Sequence, residues 1–306
     1  TGTINGGVTN SATVNAAGTI NGAINNNAGG LFTVTGGLVS DNASTFTNAA
    51  GATLDVNSGA FTNLKTLANS GTVTVESSLA ATTINQGGPT FTIAATGAVT
   101  ATTFNQTTGA LSNAGALTLT TLTIAGGTAT NNGSITATNP IAVNGGSLTN
   151  NKTITGSVAN AATFVNNAGA TVSGSVSNSA TASNAGTIGG TLTNTGGTFT
   201  NTASGVVTGL TTVTGGTLNT AGALNGGLNN SATVNASGSI KGAINNNAGL
   251  FTVVGDLSSD NASTFTNAAG ATLDVKTGAF SNLATLANAG VVTVESNLAA
   301  TTINQN

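Results

Sequence analysis

Through much of this chain apolar residues alternate with small polar ones, and glycine opens each run. Gly71-Thr-Val73-Thr-Val75, Gly115-Ala-Leu117-Thr-Leu119 and Gly290-Val-Val292-Thr-Val294 show the pattern most fully. Shorter versions stand at Gly18-Thr-Ile20, Gly97-Ala-Val99, Gly133-Ser-Ile135, Gly169-Ala-Thr-Val172, Gly186-Thr-Ile188, Gly222-Ala-Leu224 and Gly238-Ser-Ile240. A period of two sends successive side chains to opposite faces of an extended backbone, so each run predicts a short half-buried strand. Where the runs follow closely they lie 16 to 18 residues apart, as at Gly97, Gly115 and Gly133, at Gly169 and Gly186 and at Gly222 and Gly238, with longer gaps such as the 26 between Gly71 and Gly97, and the short spacing fits one coil of a β-solenoid.

A second strand signal is Phe-Thr/Ser-Asn, at Phe46, Phe61, Phe199, Phe265 and Phe280, with Phe164-Val-Asn166 a relative. It predicts Phe pointing into the coil, the next residue pointing out, and Asn at the corner, bonded to backbone or to its copy in the next coil. The ten Phe are read as a core stack rather than a ligand platform. No run keeps a period of 3.6, and glycine and β-branched residues are too frequent for helices.

A longer period lies over the short one. The sequence SDNASTFTNAAGATLDV occurs at 40–56 and again at 259–275, and residues 221–306 repeat 1–86 with one residue fewer near Gly30. The expected organisation is one continuous β-solenoid over 1–306, with 1–220 as one long repeat and 221–306 as the start of a second copy. The chain is accordingly read as a piece of a longer protein. Ile4 becomes Leu224 and Val8 becomes Leu228, apolar for apolar, which reads as inward. Asn21 becomes Lys241, Gly37 becomes Asp256 and Asn57 becomes Lys276, and an unpaired charge belongs where water reaches it. At about 19 residues per coil and ~4.8 Å between coils, about 16 coils give a rod roughly 75 Å long.

Composition narrows the function. Charged residues make up 4% of the chain and hydrophobic residues 38%, with a net charge of −3, so an unpaired backbone would be hard to keep in water and β-structure with few free edges is expected. Four Lys (Lys65, Lys152, Lys241, Lys276) and no Arg leave nothing to neutralise phosphates, which argues against nucleic acid. No apolar stretch is long enough for a membrane-spanning helix. The absence of Cys fits either a reducing or an oxidising compartment.

The Gly-[TSA]-[ILV] coils, the long imperfect repeats and the missing Cys resemble the secreted passenger regions of bacterial autotransporter and filamentous-haemagglutinin-like adhesins. The resemblance covers essentially the whole chain and implies a right-handed parallel β-helix. It also implies an extracellular location, on the bacterial surface or secreted, and a role as adhesin or stalk in attachment, aggregation or biofilm. The implied partners are host or abiotic surfaces, glycans, or other copies of the chain through end-to-end or lateral association.

Seven carboxylates are present: Asp41, Asp55, Glu76, Asp256, Asp260, Asp274 and Glu295. Asp55 and Glu76, about one coil apart, are expected to face outward as near neighbours, and solvated acids that blunt aggregation are the reading against which a cation site or a catalytic pair is weighed. Sugar-cleaving sites also need cationic or aromatic groups, and the chain has no Arg, His, Trp or Tyr. Asp41-Asn42-Ala43-Ser44 and its copy at Asp260 read as turns, short of the oxygens Ca²⁺ prefers. The sequons at Asn42, Asn105, Asn151 and Asn261 are expected by chance in so Asn- and Thr-rich a chain. No catalytic, cofactor-binding or metal-binding residue is assigned, and no enzyme activity is expected. Alternatives to the adhesive rod are a subunit of a secreted fibre built by end-to-end stacking and an ice-binding protein. The last wants Thr-x-Thr in coil after coil on one face, and in the linear sequence such pairs, Thr118 and Thr120 among them, look scattered.

Overall fold

The computed structural model describes residues 2–305. They form a parallel β-solenoid of about 17 turns with about 18 residues per turn, close to the 16 coils of 19 residues expected, and there is no helix among the described residues. The chain divides into two compact units, Thr1–Gly156 and Ser157–Asn306, a boundary that falls inside the first long repeat.

In the first unit each turn contributes to three parallel sheets. One contains Leu31–Val34, Thr53–Val56, Thr72–Val75, Thr90–Ile93 and Ala110–Asn113 in ladder order. A second runs through Ser78–Ala81, Ala98–Ala101, Ala116–Leu119 and Ser134–Ala137. The third runs through Ile24–Asn26, Phe46–Asn48, Leu67–Asn69, Ile84–Gln86 and Phe104–Gln106. The register keeps like beside like, so Phe32, Leu54, Val73, Phe91 and Leu111 form one inward column. All ten Phe are fully buried. Phe46 sits edge-on to both Phe32 and Phe61, with ring centroids 5.1 and 5.8 Å apart, and Phe265 does the same with Phe251 and Phe280 in the second unit, at 5.1 and 5.7 Å.

The corner Asn side chains are buried and joined to one another along the stack. Asn10 donates to Asn26 at 2.8 Å, Asn26 to Asn48 at 2.9 Å, Asn48 to Asn69 at 2.8 Å, and Asn69 to Gln86. Each also ties down a carbonyl where the next strand begins, as Asn48 does with Thr72 at 2.9 Å. The column is then handed over. Gln106 is followed in register by Ile124, while at another corner Ile93 is followed by Asn113, which donates to Asn131 and that to Asn150, each at 2.8 Å. In the second unit both corners carry amides for a stretch, Asn160 to Asn178 to Asn194 at one and Asn166 to Asn184 to Asn201 at the other. A buried amide is costly without partners, and a copy of itself one turn away supplies both a donor and an acceptor.

The charge substitutions between the sequence copies fall where expected: Lys241, Asp256 and Lys276 are exposed. Leu224 and Leu228 are fully buried, whereas Ile4 is 48% exposed in a turn with no described turn against its outer edge.

Candidate functional site

Turns as tight as these leave little interior, so any chemistry must sit on the outer face. The carboxylates are dispersed there. Asp55 points outward between buried Leu54 and Val56 and is flanked in register by Thr33 and Thr74. Partial burial, and then the charge of Glu76, push its carboxyl above the usual carboxylate range, so the two acids are near neighbours as the spacing predicts. Asn57 donates to Glu76 at 3.2 Å. In the second copy Asp274 lies between Thr252 and Thr293, and Lys276 stands where the first copy has Asn57. Among the described residues no three His, Cys, Asp or Glu side chains gather as a metal site would require.

Asp41 is a turn residue. Its Oδ1 accepts the backbone N–H of Ala43 and Ser44 at 3.0 and 2.8 Å, and its Oδ2 accepts the Ser44 hydroxyl at 2.8 Å and the Gly22 N–H at 2.9 Å. The Ser44 hydroxyl, followed by the Ala43 amide, holds the Asp41 carboxyl down at about 2. Asp260 repeats the arrangement with Ser263, Ala262 and Gly242 and is likewise held at about 2. In both, Oδ1 closes the local turn and Oδ2 pins it to the turn before, so both oxygens are committed. Of the sequon asparagines, Asn105 donates to Asn85 at 3.0 Å and Asn151 to Asn132 at 2.7 Å, while Asn42 is exposed at a turn with left-handed backbone, φ 56°.

The outer surface is therefore hydroxyl and amide, and the amides are largely spoken for. The Asn of the motifs at Phe46, Phe199 and Phe265 is buried, whereas Asn63 and Asn282, of the motifs at Phe61 and Phe280, are exposed in left-handed backbone, against the expected corner role. Outer asparagines such as Asn21 and Asn235 bond to Asn5 and Asn219 of the neighbouring turn at 2.8 and 2.9 Å. The hydroxyls divide into two sets. Thr96, Thr107 and Thr108 donate to carbonyls of the preceding turn at 2.8, 3.2 and 2.7 Å. Those of Thr100, Thr102, Thr118 and Thr120 are exposed and carry no protein bond.

These four Thr correct the expectation that Thr-x-Thr pairs are scattered. Thr100 is in register with Thr118 and Thr118 with Thr136, so Thr100-x-Thr102, Thr118-x-Thr120 and Thr136-x-Thr138 stack in three successive turns. They border a shallow hollow of about 440 Å³ floored by Leu64, Ala81, Ala101 and Leu119 and closed at one end by Asn42 and Asn63. No family model, no curated protein and no solved structure matches the chain.

Proposed function

We propose that this chain is a structural and adhesive segment of a bacterial surface or secreted protein, holding cells to surfaces or to one another, without catalysis. Its coils supply stiffness, because each strand is hydrogen-bonded to the turns on either side and the buried amide columns add a second bonded line beside the backbone ladders. Its exterior supplies contact. With few charges and no exposed aromatic ring, a partner is met through hydroxyl and amide groups, each weak, repeated turn after turn so that many act together. The observation that carries this reading is the row of outward Thr hydroxyls left free of protein partners, stacked over successive turns beside buried amides that bond one another. The resemblance to autotransporter and filamentous-haemagglutinin-like passengers supports it and supplies the extracellular setting.

Beads coated with the purified chain test the proposal in a flow cell against plastic, glycan-coated glass and cultured cells, with bead-to-bead clustering scored in parallel. Attachment to at least one surface, or clustering, above albumin-coated beads is expected. Beads that behave as albumin beads in every arm rule out adhesion by this segment.

A further inference from the structure

We infer that the hollow over residues 80–138 of the first unit is a binding site for a neutral polysaccharide chain lying along the coil axis. The inference rests on the adhesive reading and names its ligand class. Thr82, Thr102, Thr120 and Thr138 occupy one position in four successive turns, and Thr100 and Thr118 stand across from them. Between them the floor is aliphatic: Ala81 is 8% exposed and Leu119 4%, enough to be touched from the hollow and no more. Hydroxyl walls over an apolar floor match the two surfaces of a pyranose ring, whose hydroxyls project around its rim and whose C–H groups line its faces.

The absence of charge selects further. No Lys, Asp or Glu lines the hollow, so an anionic polymer gains no ion pair there and a neutral one leaves no charge unpaired. Length and repeat agree. The four Thr positions span three turn-to-turn steps of ~4.8 Å each, roughly 14 Å in all, and one step is close to the advance of a single residue in an extended β-1,4-linked pyranose chain. The same contact then recurs from one turn to the next. A concave floor suits a chain better than it suits a planar lattice such as ice.

One end of the hollow differs from its sequence copy in a way that bears on binding. Asn63 and Asn282 are equivalent residues, both with left-handed backbone, φ 58° and 59°. The Asn282 amide is occupied by a bond to the Ser258 hydroxyl at 2.9 Å. In the first copy Val39 stands in place of Ser258, so Asn63 keeps its exposed amide free at the mouth of the hollow.

Affinity electrophoresis of the whole chain through gels carrying a soluble β-glucan, an arabinoxylan or polygalacturonate tests the assignment. The neutral polymers should retard the protein and polygalacturonate should not. Thr118→Val with Thr120→Val, which keeps shape and removes two hydroxyls, should weaken retardation about thirtyfold, since each of the two lost hydrogen bonds contributes about 1 kcal/mol. Thr90→Val with Thr92→Val, on the neighbouring sheet and outside the hollow, should leave it unchanged, and matching far-UV circular dichroism establishes that both variants fold. Retardation by no neutral polymer, or equal retardation of the Thr118/Thr120 variant, overturns the site. Inhibition of ice recrystallisation without glycan retardation also overturns it, in favour of ordered water. If neither protein is retarded yet beads carrying the chain still attach, the site falls and the adhesive reading stands.

Discussion

Replacing Asn48 by Val tests the claim that buried amide columns hold the turns in register. The side chain is fully buried, donates to Asn69 at 2.8 Å and to the Thr72 carbonyl at 2.9 Å, and accepts from Asn26 at 2.9 Å. Three bonds at about 1 kcal/mol each, with the Thr72 carbonyl left without its partner at roughly a further 1–2 kcal/mol, put the cost at about 4–5 kcal/mol. Valine is tolerated in such a column where its neighbours do not depend on it: Val143 follows the apolar Ile124, and Val213 stands between Asn194 and Asn230, whose side chains bond backbone at Gly215 and Ala232 instead. The burden in the variant is thus the stranded partners rather than the aliphatic group. A long stack does not unfold in one step, so the measurement is amide hydrogen exchange read locally over 24–26, 46–48 and 67–69. Asn27→Val is the control, since the Asn27 side chain is exposed and donates to the Ser11 hydroxyl at 3.0 Å, outside the buried column. Adding Asn26→Val to the first variant should cost less than the sum of the singles, because one change removes a partner that the other had stranded. Protection in Asn48→Val no lower than in Asn27→Val would refute the reasoning.

Phe46→Ala should lose about 3–5 kcal/mol and lower the urea midpoint followed by circular dichroism, because the ring fills the space between Phe32 and Phe61. Gly71→Ala should destabilise the 48–72 turn, since a Cβ there falls 2.3 Å from the Ala52 carbonyl oxygen and 2.5 Å from that of Ala49, and exchange should quicken in that turn first. Asp41 and Asp260, with folded carboxyls at about 2, contribute stability that is complete above pH ~4, the unfolded value, and is lost as the pH falls toward 2. Thermal melts should show that loss, and Asp41→Asn should diminish it. Asp55 has the opposite sign. Its folded carboxyl titrates above the unfolded one, so Asp55→Asn should stabilise the chain at neutral pH and make no difference in acid, where both forms are neutral.

The solenoid was legible because its physics is local. Alternation fixes which side chains are inward, and Phe-Thr-Asn at Phe46, Phe199 and Phe265 states in three residues what a corner needs, a core ring, an outward residue and a buried amide, although the same motif at Phe61 leaves Asn63 exposed. Other features emerge only when one turn is laid on the next. Nothing in the neighbourhood of Ile93 or Ile124 announces that the amide column changes corners between them, because the partner that makes an Asn affordable lies 16 to 22 residues away. The Thr walls were hidden for the same reason. Thr102 and Thr120 look unrelated on the page and become neighbours only through the pairing of Thr103 with Thr121. Asp41 was identifiable as a turn residue from its sequence, whereas its bond to Gly22, 19 residues earlier, was not.

The handover between amide columns also sets rules for how such a protein can grow by recombination. A duplicated block joins cleanly only where the last rung of one block and the first of the next offer compatible corners. At the junction of the two long repeats Val213 meets Asn230, and the Asn230 carboxamide oxygen, with no amide beneath it, accepts the Ala232 N–H at 3.0 Å. Asn10 satisfies its own oxygen through Ala12 in the same way, also at 3.0 Å. The block therefore carries its own starter, and can be copied behind an apolar rung without a compensating change in the sequence before it.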